Sequence, residues 1–367
     1  MRIGIVAAPQ ISCPAYLNSP MRPDFSPPPK LSPGDRVAVV SPAYAAPADF
    51  PAVHEQAMRR MREIFGLEPV EYPTTRRHSS AEARAQDVMA AYADPDIRAV
   101  FATIGGDDQI TVLRHLDPGP FRADPKPFFG YSDNTNLLNW LWTHGVAAYH
   151  GMSTMVQLGR GGGVQQATVD SLRAALFTGG ELELPPVETF SDEEVSWGEP
   201  NTLTEAPVPY ASPGRVWHQA DRVISAPTWG GNLEILHWTL AADRWVRPVE
   251  DYAGCVLLLE TSEEMPSDVE VFQMLRNFGE RGLLEQFPAI VVGTAKGTVF
   301  TSPRPMAERV RYREDQRAAV LRAVESYHPG AMVVFGVDFG HTNPQWVVPY
   351  GGRLTVDGPA QRIIAHF

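Results

Sequence analysis

Apolar residues along this chain fall in short runs that alternate with stretches of helical period. From Arg36, Val37-Ala38-Val39-Val40 has the length and β-branched content of a buried strand and stops at Ser41-Pro42. Val53 to Phe65 then places its apolar residues at helical spacing and is closed by Gly66. Val70 to Tyr72 reads as a second strand, and Ser80 to Tyr92 as a second helix with Ser79 or Ser80 as its cap. Ala99 to Ile104 is a third strand, ending in Gly105-Gly106-Asp107-Asp108. A helix covers Ile110 to Leu116, and Pro127 to Gly130 is a further apolar run. Strands alternating with helices predict an α/β fold, its N-terminal domain doubly wound (Rossmann- or flavodoxin-like) around a parallel sheet. Ligands of such sheets bind at the carboxyl ends of the strands.

From about Leu182 to Gly214 the pattern breaks, with Pro185-Pro186, Pro200, Pro207, Pro209 and Pro213 and few helical signals. It resumes at Trp229-Gly230-Gly231-Asn232-Leu233. Strands follow at Cys255 to Leu259, Ala289 to Gly293 and Ala331 to Phe335, with helices at Val269 to Phe278 and Glu314 to Tyr327. The expected organisation is an N-terminal extension over 1–30, an α/β domain over 31–180, and a linker and active-site loop over 181–228. A mixed, strand-rich α/β domain over 229–367 completes it.

Three hundred and sixty-seven residues suffice for two cored domains. A net charge of -12 argues against binding nucleic acid through its phosphates, and no apolar run is long enough to span a membrane. Cys13 and Cys255 lie in unrelated contexts, which points to a reducing cytoplasm rather than a disulfide framework. The apolar stretch near Met1 is short for a signal peptide. With the proline-rich Pro20 to Pro33 after it, the first twenty residues read as an appended tail or as the product of an upstream start codon.

The chemistry-bearing candidates stand where apolar runs end. Phe128-Phe129-Gly130-Tyr131-Ser132-Asp133 passes from strand to sharp turn to helix, the geometry of a nucleophile elbow, with Asn134 where the usual second glycine would stand. Glu260 follows Val256-Leu257-Leu258-Leu259, and His341 follows Val337-Asp338-Phe339-Gly340. Serine, histidine and acid form the set a serine hydrolase needs. Bland roles compete: Ser132 as a helix cap, Glu260 as an arginine's partner, and His144, His150 and His237 as core histidines. Asp107-Asp108 has no His or Cys beside it, so solvated loop acids fit better than a metal site. No metal or organic cofactor is called for.

With these residues the chain resembles the LD-carboxypeptidase serine peptidases, a family that includes the microcin C self-immunity peptidases. The matching pieces are Gly34-Asp35-Arg36 through Ser41-Pro42, Ile104-Gly105-Gly106, Gly130-Tyr131-Ser132-Asp133 and Trp229-Gly230-Gly231-Asn232-Leu233. Leu258-Leu259-Glu260-Thr261-Ser262-Glu263-Glu264 and Gly340-His341-x-x-Pro344 with Pro349-x-Gly351 complete the set, in the family's order of Ser, Glu and His. The resemblance implies Ser132 as nucleophile, His341 as general base and Glu260 as its orienting acid. It further implies an oxyanion hole made by the Asp133 amide and one from the Gly105-Gly106 turn, an interdomain cleft and a homodimer.

The family's branches imply different substrates. One releases terminal D-alanine from murein tetrapeptides; the other cleaves the amide joining an aminoacyl or peptidyl group to a modified nucleotide. Ile104 and Thr261, where the murein branch more often shows an arginine and an aspartate, resemble the second. Glu264 stands where an immunity peptidase carries lysine and departs from it. Trp197 either stacks on a purine or anchors its loop, and Trp229 is either a substrate contact or a packed turn. A non-catalytic peptide or nucleotide sensor is the reading from a different class.

Overall fold

In a computed structural model, Phe25 and residues 27–367 are described, so Cys13 and most of the 1–30 extension lie outside the described residues. The first domain is built from β1 (Arg36–Val40), α1 (Ala46–Asp49), α2 (Pro51–Phe65), β2 (Glu68–Glu71), α3 (Ala81–Ala93) and β3 (Ile97–Ala102). It continues through α4 (Ile110–Leu113), α5 (Pro118–Ala123), β4 (Phe128–Gly130), α6 (Thr135–Thr143) and β5 (Ala148–His150). The five strands are parallel in the order β2-β1-β3-β4-β5, the flavodoxin order, whose switch point lies between β1 and β3. Local chemistry sets the helix ends. Gly66 takes the left-handed conformation that stops α2 (φ 65°), and Ser80 Oγ accepts the Ala83 amide at the start of α3.

The chain then runs through α7 (Gln166–Arg173), β6 (Glu181–Glu183), β7 (Thr189–Phe190), β8 (Tyr210–Ala211), β9 (Val216–His218) and β10 (Val223–Asn232). Next come α8 (Leu233–Ala242), β11 (Val256–Glu260), α9 (Asp268–Glu280), β12 (Ala289–Gly293), α10 (Met306–Tyr327) and β13 (Met332–Val337). The last strands are β14 (Val348–Tyr350), β15 (Arg353–Asp357) and β16 (Arg362–His366). The second sheet has the order β6-β16-β15-β10-β11-β12-β13-β9, parallel only through β10-β11-β12-β13. The segment expected as linker, 181–228, thus supplies β6 and β9 to this sheet and pairs β7 with β8.

One strand crosses between the domains. β14 pairs antiparallel with β5, at the edge of the first sheet, although it lies late in the chain. Aromatic packing seals the same boundary. Trp142 of α6 stacks on Tyr252 (5.0 Å between centroids), and Trp229 of β10 stacks on Phe287 (5.7 Å) while its Nε1 donates to Asn139 Oδ1 at 2.9 Å. The helix directly behind Ser132 is therefore packed against the domain that carries Glu260. No described helix is long and apolar enough to cross a membrane.

Candidate active site

Ser132 stands two residues beyond β4, at the first position of a 3-10 turn that leads into α6, with φ 62°. A non-glycine residue in the left-handed region is strained, and it persists only where its surroundings fix it. Gly130 permits the turn, since a Cβ there would lie 2.8 Å from that of Asn134. Asp133 and Asn134 then pin it. Asp133 accepts from the Gln109 amide (3.0 Å) and from Asn136 Nδ2 (2.8 Å); Asn134 receives Gln109 Nε2 (2.7 Å) and donates to the Ile104 carbonyl (3.0 Å). Burial pushes the Asp133 carboxyl up to about 6, against those hydrogen bonds. Gln109, fully buried, carries no motif in the sequence, and only these contacts reveal its role.

The two glycines after β3 differ in what they face. A Cβ on Gly105 would sit 2.8 Å from Ser132 Cβ, 2.9 Å from its Oγ and 3.2 Å from the Asp133 nitrogen. A Cβ on Gly106 would meet Tyr44 and Ala43 instead. Tyr44 N donates to the Gly105 carbonyl at 3.1 Å. Asp108 of the same loop is held by Arg84 through paired 2.7 Å bonds, and Asp107 is exposed.

Glu260 ends β11, buried, in register beside Asn232 at the end of β10. Asn232 caps α8 with Oδ1, while its buried Nδ2 has no hydrogen-bond partner. Glu260 Oε2 lies 2.5 Å from His341 Nδ1. Gly340 makes that approach possible, because a Cβ there would fall 2.7 Å from Glu260 Oε2. His341 does not directly follow a strand: β13 stops at Val337, and a loop carries the histidine. That loop is tied across the domains by Gln345, which donates to the Gly340 carbonyl (2.6 Å) and accepts the Met152 amide (2.7 Å). Burial pulls the His341 pKa down, but Glu260 and then Glu263 outweigh it and hold it well above the ordinary imidazole value. The Glu263 contact, Oε2 to Nε2 at 3.2 Å, has no sequence signal. No hydrogen bond joins Ser132 to His341 among the described residues.

His150, on β5, is fully buried behind this pair, its Nε2 3.9 Å from Glu260 Oε1. Burial drives its pKa down to about 4, the pull of Glu260 notwithstanding. Trp197 packs edge-on against Phe50 (5.4 Å) and lines a cavity of about 300 Å³ with Arg160, Glu194 and Asn343. Trp229 is 2 % exposed, its ring in the interdomain core, which is the packed-turn alternative rather than a substrate contact.

Known proteins place these features in context. Over 299 residues, 77 % of each chain, the sequence is 26 % identical to the microcin C7 self-immunity protein MccF of Escherichia coli. A shorter match, 34 % over 122 residues (32 % of this chain and 38 % of the other), is to a murein tetrapeptide carboxypeptidase of Pseudomonas aeruginosa. A solved MccF structure superposes with TM-score 0.79 at 21 % identity, covering 93 % of this chain and 98 % of that one; another MccF structure holds aspartyl sulfamoyl adenosine. Residues 37–151 match the LD-carboxypeptidase N-terminal domain and residues 225–356 its C-terminal domain, so the chain belongs to the LD-carboxypeptidase family of serine-type hydrolases.

Proposed function

We propose that the protein is a serine peptidase that hydrolyses the amide of an aminoacyl- or peptidyl-nucleotide through Ser132, His341 and Glu260. The observation that carries this reading is a strained Ser132 (φ 62°) facing the side-chain-free space at Gly105, together with a Glu260–His341 pair at 2.5 Å whose imidazole meets the ring of Tyr131, the residue before the serine, at 5.1 Å. Ser132 Oγ attacks the amide carbonyl carbon while His341 Nε2 takes its proton. Glu260 fixes the tautomer that leaves Nε2 free to accept, and it stabilises the imidazolium that forms. The oxyanion enters the space in front of Gly105, where the Asp133 nitrogen lies 3.2 Å from the position a Cβ would take and serves as one donor in this reading. Because the Gly105 carbonyl accepts from Tyr44, the N–H at the other side of the same trans peptide, that of Gly106, points away from Tyr44 and is the second donor in this reading. The imidazolium returns its proton to the leaving amine, and water repeats the sequence to free the acyl group.

The nucleotide half of the reading rests on the cavity lined by Trp197 and Arg160, which reaches the His341 loop at Asn343. Trp197 offers an aromatic face there, and Arg160, whose buried Nη1 has no protein acceptor, offers a donor. The aspartyl sulfamoyl adenosine bound by MccF has this chemistry. The match to a murein tetrapeptide carboxypeptidase favours a second reading, release of terminal D-alanine from an L,D-tetrapeptide. Side-by-side hydrolysis of an aminoacyl-sulfamoyl adenosine and a murein tetrapeptide, followed by mass spectrometry with a Ser132→Ala control, decides between them. Cleavage of the tetrapeptide alone overturns the first reading.

A further inference from the structure

The imidazole of His341 is gripped from both sides: Nδ1 by Glu260 at 2.5 Å and Nε2 by Glu263 at 3.2 Å. Glu263 meets Nε2 as an ion pair, and two carboxylates flanking one imidazole favour the ring that carries both protons. Nε2 is the nitrogen that must receive the Ser132 proton. In this arrangement it has no lone pair to offer.

The two partners are not equivalent. The Glu260 side chain is 1 % exposed and fixed by its strand, whereas that of Glu263 is 51 % exposed, on the loop after β11, and can swing into solvent. The other polar groups around the ring do not replace it. Tyr131 meets it edge-on at 5.1 Å, and its phenol is pushed up by burial; His150, driven down to about 4, lies behind Glu260. Lys296 is paired with Glu194 at 2.9 Å, near enough to Glu263 to favour its charged form.

We propose that Glu263 selects for substrates with a free ammonium on the α-carbon next to the scissile carbonyl, which draws this carboxylate off His341 Nε2. The inference rests on the peptidase reading above. Ser132 Oγ must reach the carbonyl carbon while Nε2 stays within hydrogen-bond distance of Oγ. The ammonium is two bonds from that carbon, which brings it within reach of the Glu263 carboxylate. The incoming positive charge also disfavours the imidazolium, so binding of the ammonium and release of the His341 proton favour each other. A peptide acylated on that nitrogen brings no charge and must displace Glu263 unaided.

The test compares alanyl-sulfamoyl adenosine with its N-acetyl form on the wild-type enzyme and on Glu263→Gln. The wild type is expected to favour the free amine by about tenfold or more in kcat/KM, and the variant to lose most of that ratio. The pH profile supplies a second readout, because His341 acts as a base only when neutral. Its raised pKa places the acid limb of the wild type above the ordinary imidazole value. Removing one carboxylate moves that limb to lower pH, both in kcat/KM and in the rate at which a fluorophosphonate labels Ser132. An unchanged substrate ratio, or a limb that stays in place, overturns the proposal. If neither conjugate is cleaved while Ser132 still labels, the nucleotide reading fails and the selection for an ammonium fails with it. A limb that shifts in the labelling profile then supports only the hold of Glu263 on His341.

Discussion

Gly105→Ala isolates the proposed oxyanion hole from the rest of the fold. Gly105 does not require a positive φ, so alanine is conformationally allowed, and its cost is purely one of space. The new methyl would lie 2.9 Å from Ser132 Oγ and 3.2 Å from the Asp133 nitrogen, inside the 3.4 Å where ordinary contact begins. Ser132 cannot retreat, because its left-handed turn is pinned through Asp133, Asn134 and Gln109. The methyl therefore fills the volume assigned to the oxyanion. Loss of one donor in such a hole costs about 10²–10³ in rate, and displacement of the oxyanion from the hole should cost at least that. Overpacking of this kind costs about 1–3 kcal/mol of stability, which leaves the protein folded. The assay pairs the kcat/KM of the adenosine conjugate with thermal unfolding of the same variant. A folded Gly105→Ala enzyme retaining activity within about fivefold of the wild type refutes the assignment.

Three further outcomes are expected. Glu260→Gln keeps the shape of the side chain but no longer enforces the His341 tautomer, and kcat should fall about 10⁴-fold; a fall of less than about tenfold removes Glu260 from the mechanism. Trp197→Ala should raise KM for an adenosine conjugate by the loss of about 1–3 kcal/mol of base stacking, with kcat little changed; an unaltered KM makes the tryptophan a loop anchor on Phe50. Asp192, fully buried, accepts from the Gly297 amide (3.0 Å), the Tyr210 hydroxyl (2.7 Å) and Arg309 (3.1 Å), and pairs with Arg313. Asp192→Ala strands Arg313, leaves Arg309 to Glu193 alone, and should cost about 3–5 kcal/mol in chemical denaturation; a cost below about 1 kcal/mol would show that Arg313 finds another partner.

What the sequence made legible was local. β1, α2 with its left-handed Gly66 stop, and the turn at Ser132 are each encoded within a few residues, by a β-branched run, by helical period and by a glycine where a Cβ would not fit. Longer-range features left no such trace. α10 begins at Met306 rather than Glu314, because the buried face of its first turns is made by Arg309, Tyr312 and Gln316, and apolar periodicity misses it. β14 is a three-residue strand whose partner lies about two hundred positions earlier, so nothing near it signals the pairing. Trp229 sits in a glycine-rich motif and looked available to a ligand, yet its ring completes the stack at the domain boundary. Of Glu263 and Glu264, adjacent and chemically alike, only the first touches His341, a distinction set by the course of the loop.

The crossing of β14 bears on how such a protein can be divided or recombined. The loop that bears His341 leaves from β13 in one sheet and is fastened by β14 to β5 of the other, and β5 neighbours the strand that leads to Ser132. A fragment ending near residue 180 would hold the serine but leave the edge of β5 bare, an invitation to aggregate. Its complement would keep the histidine on a tether with one end loose. Exchanging the C-terminal half for that of a distant relative therefore replaces an edge strand of the first sheet as well, and only halves whose β5 and β14 match each other should yield a folded chimera.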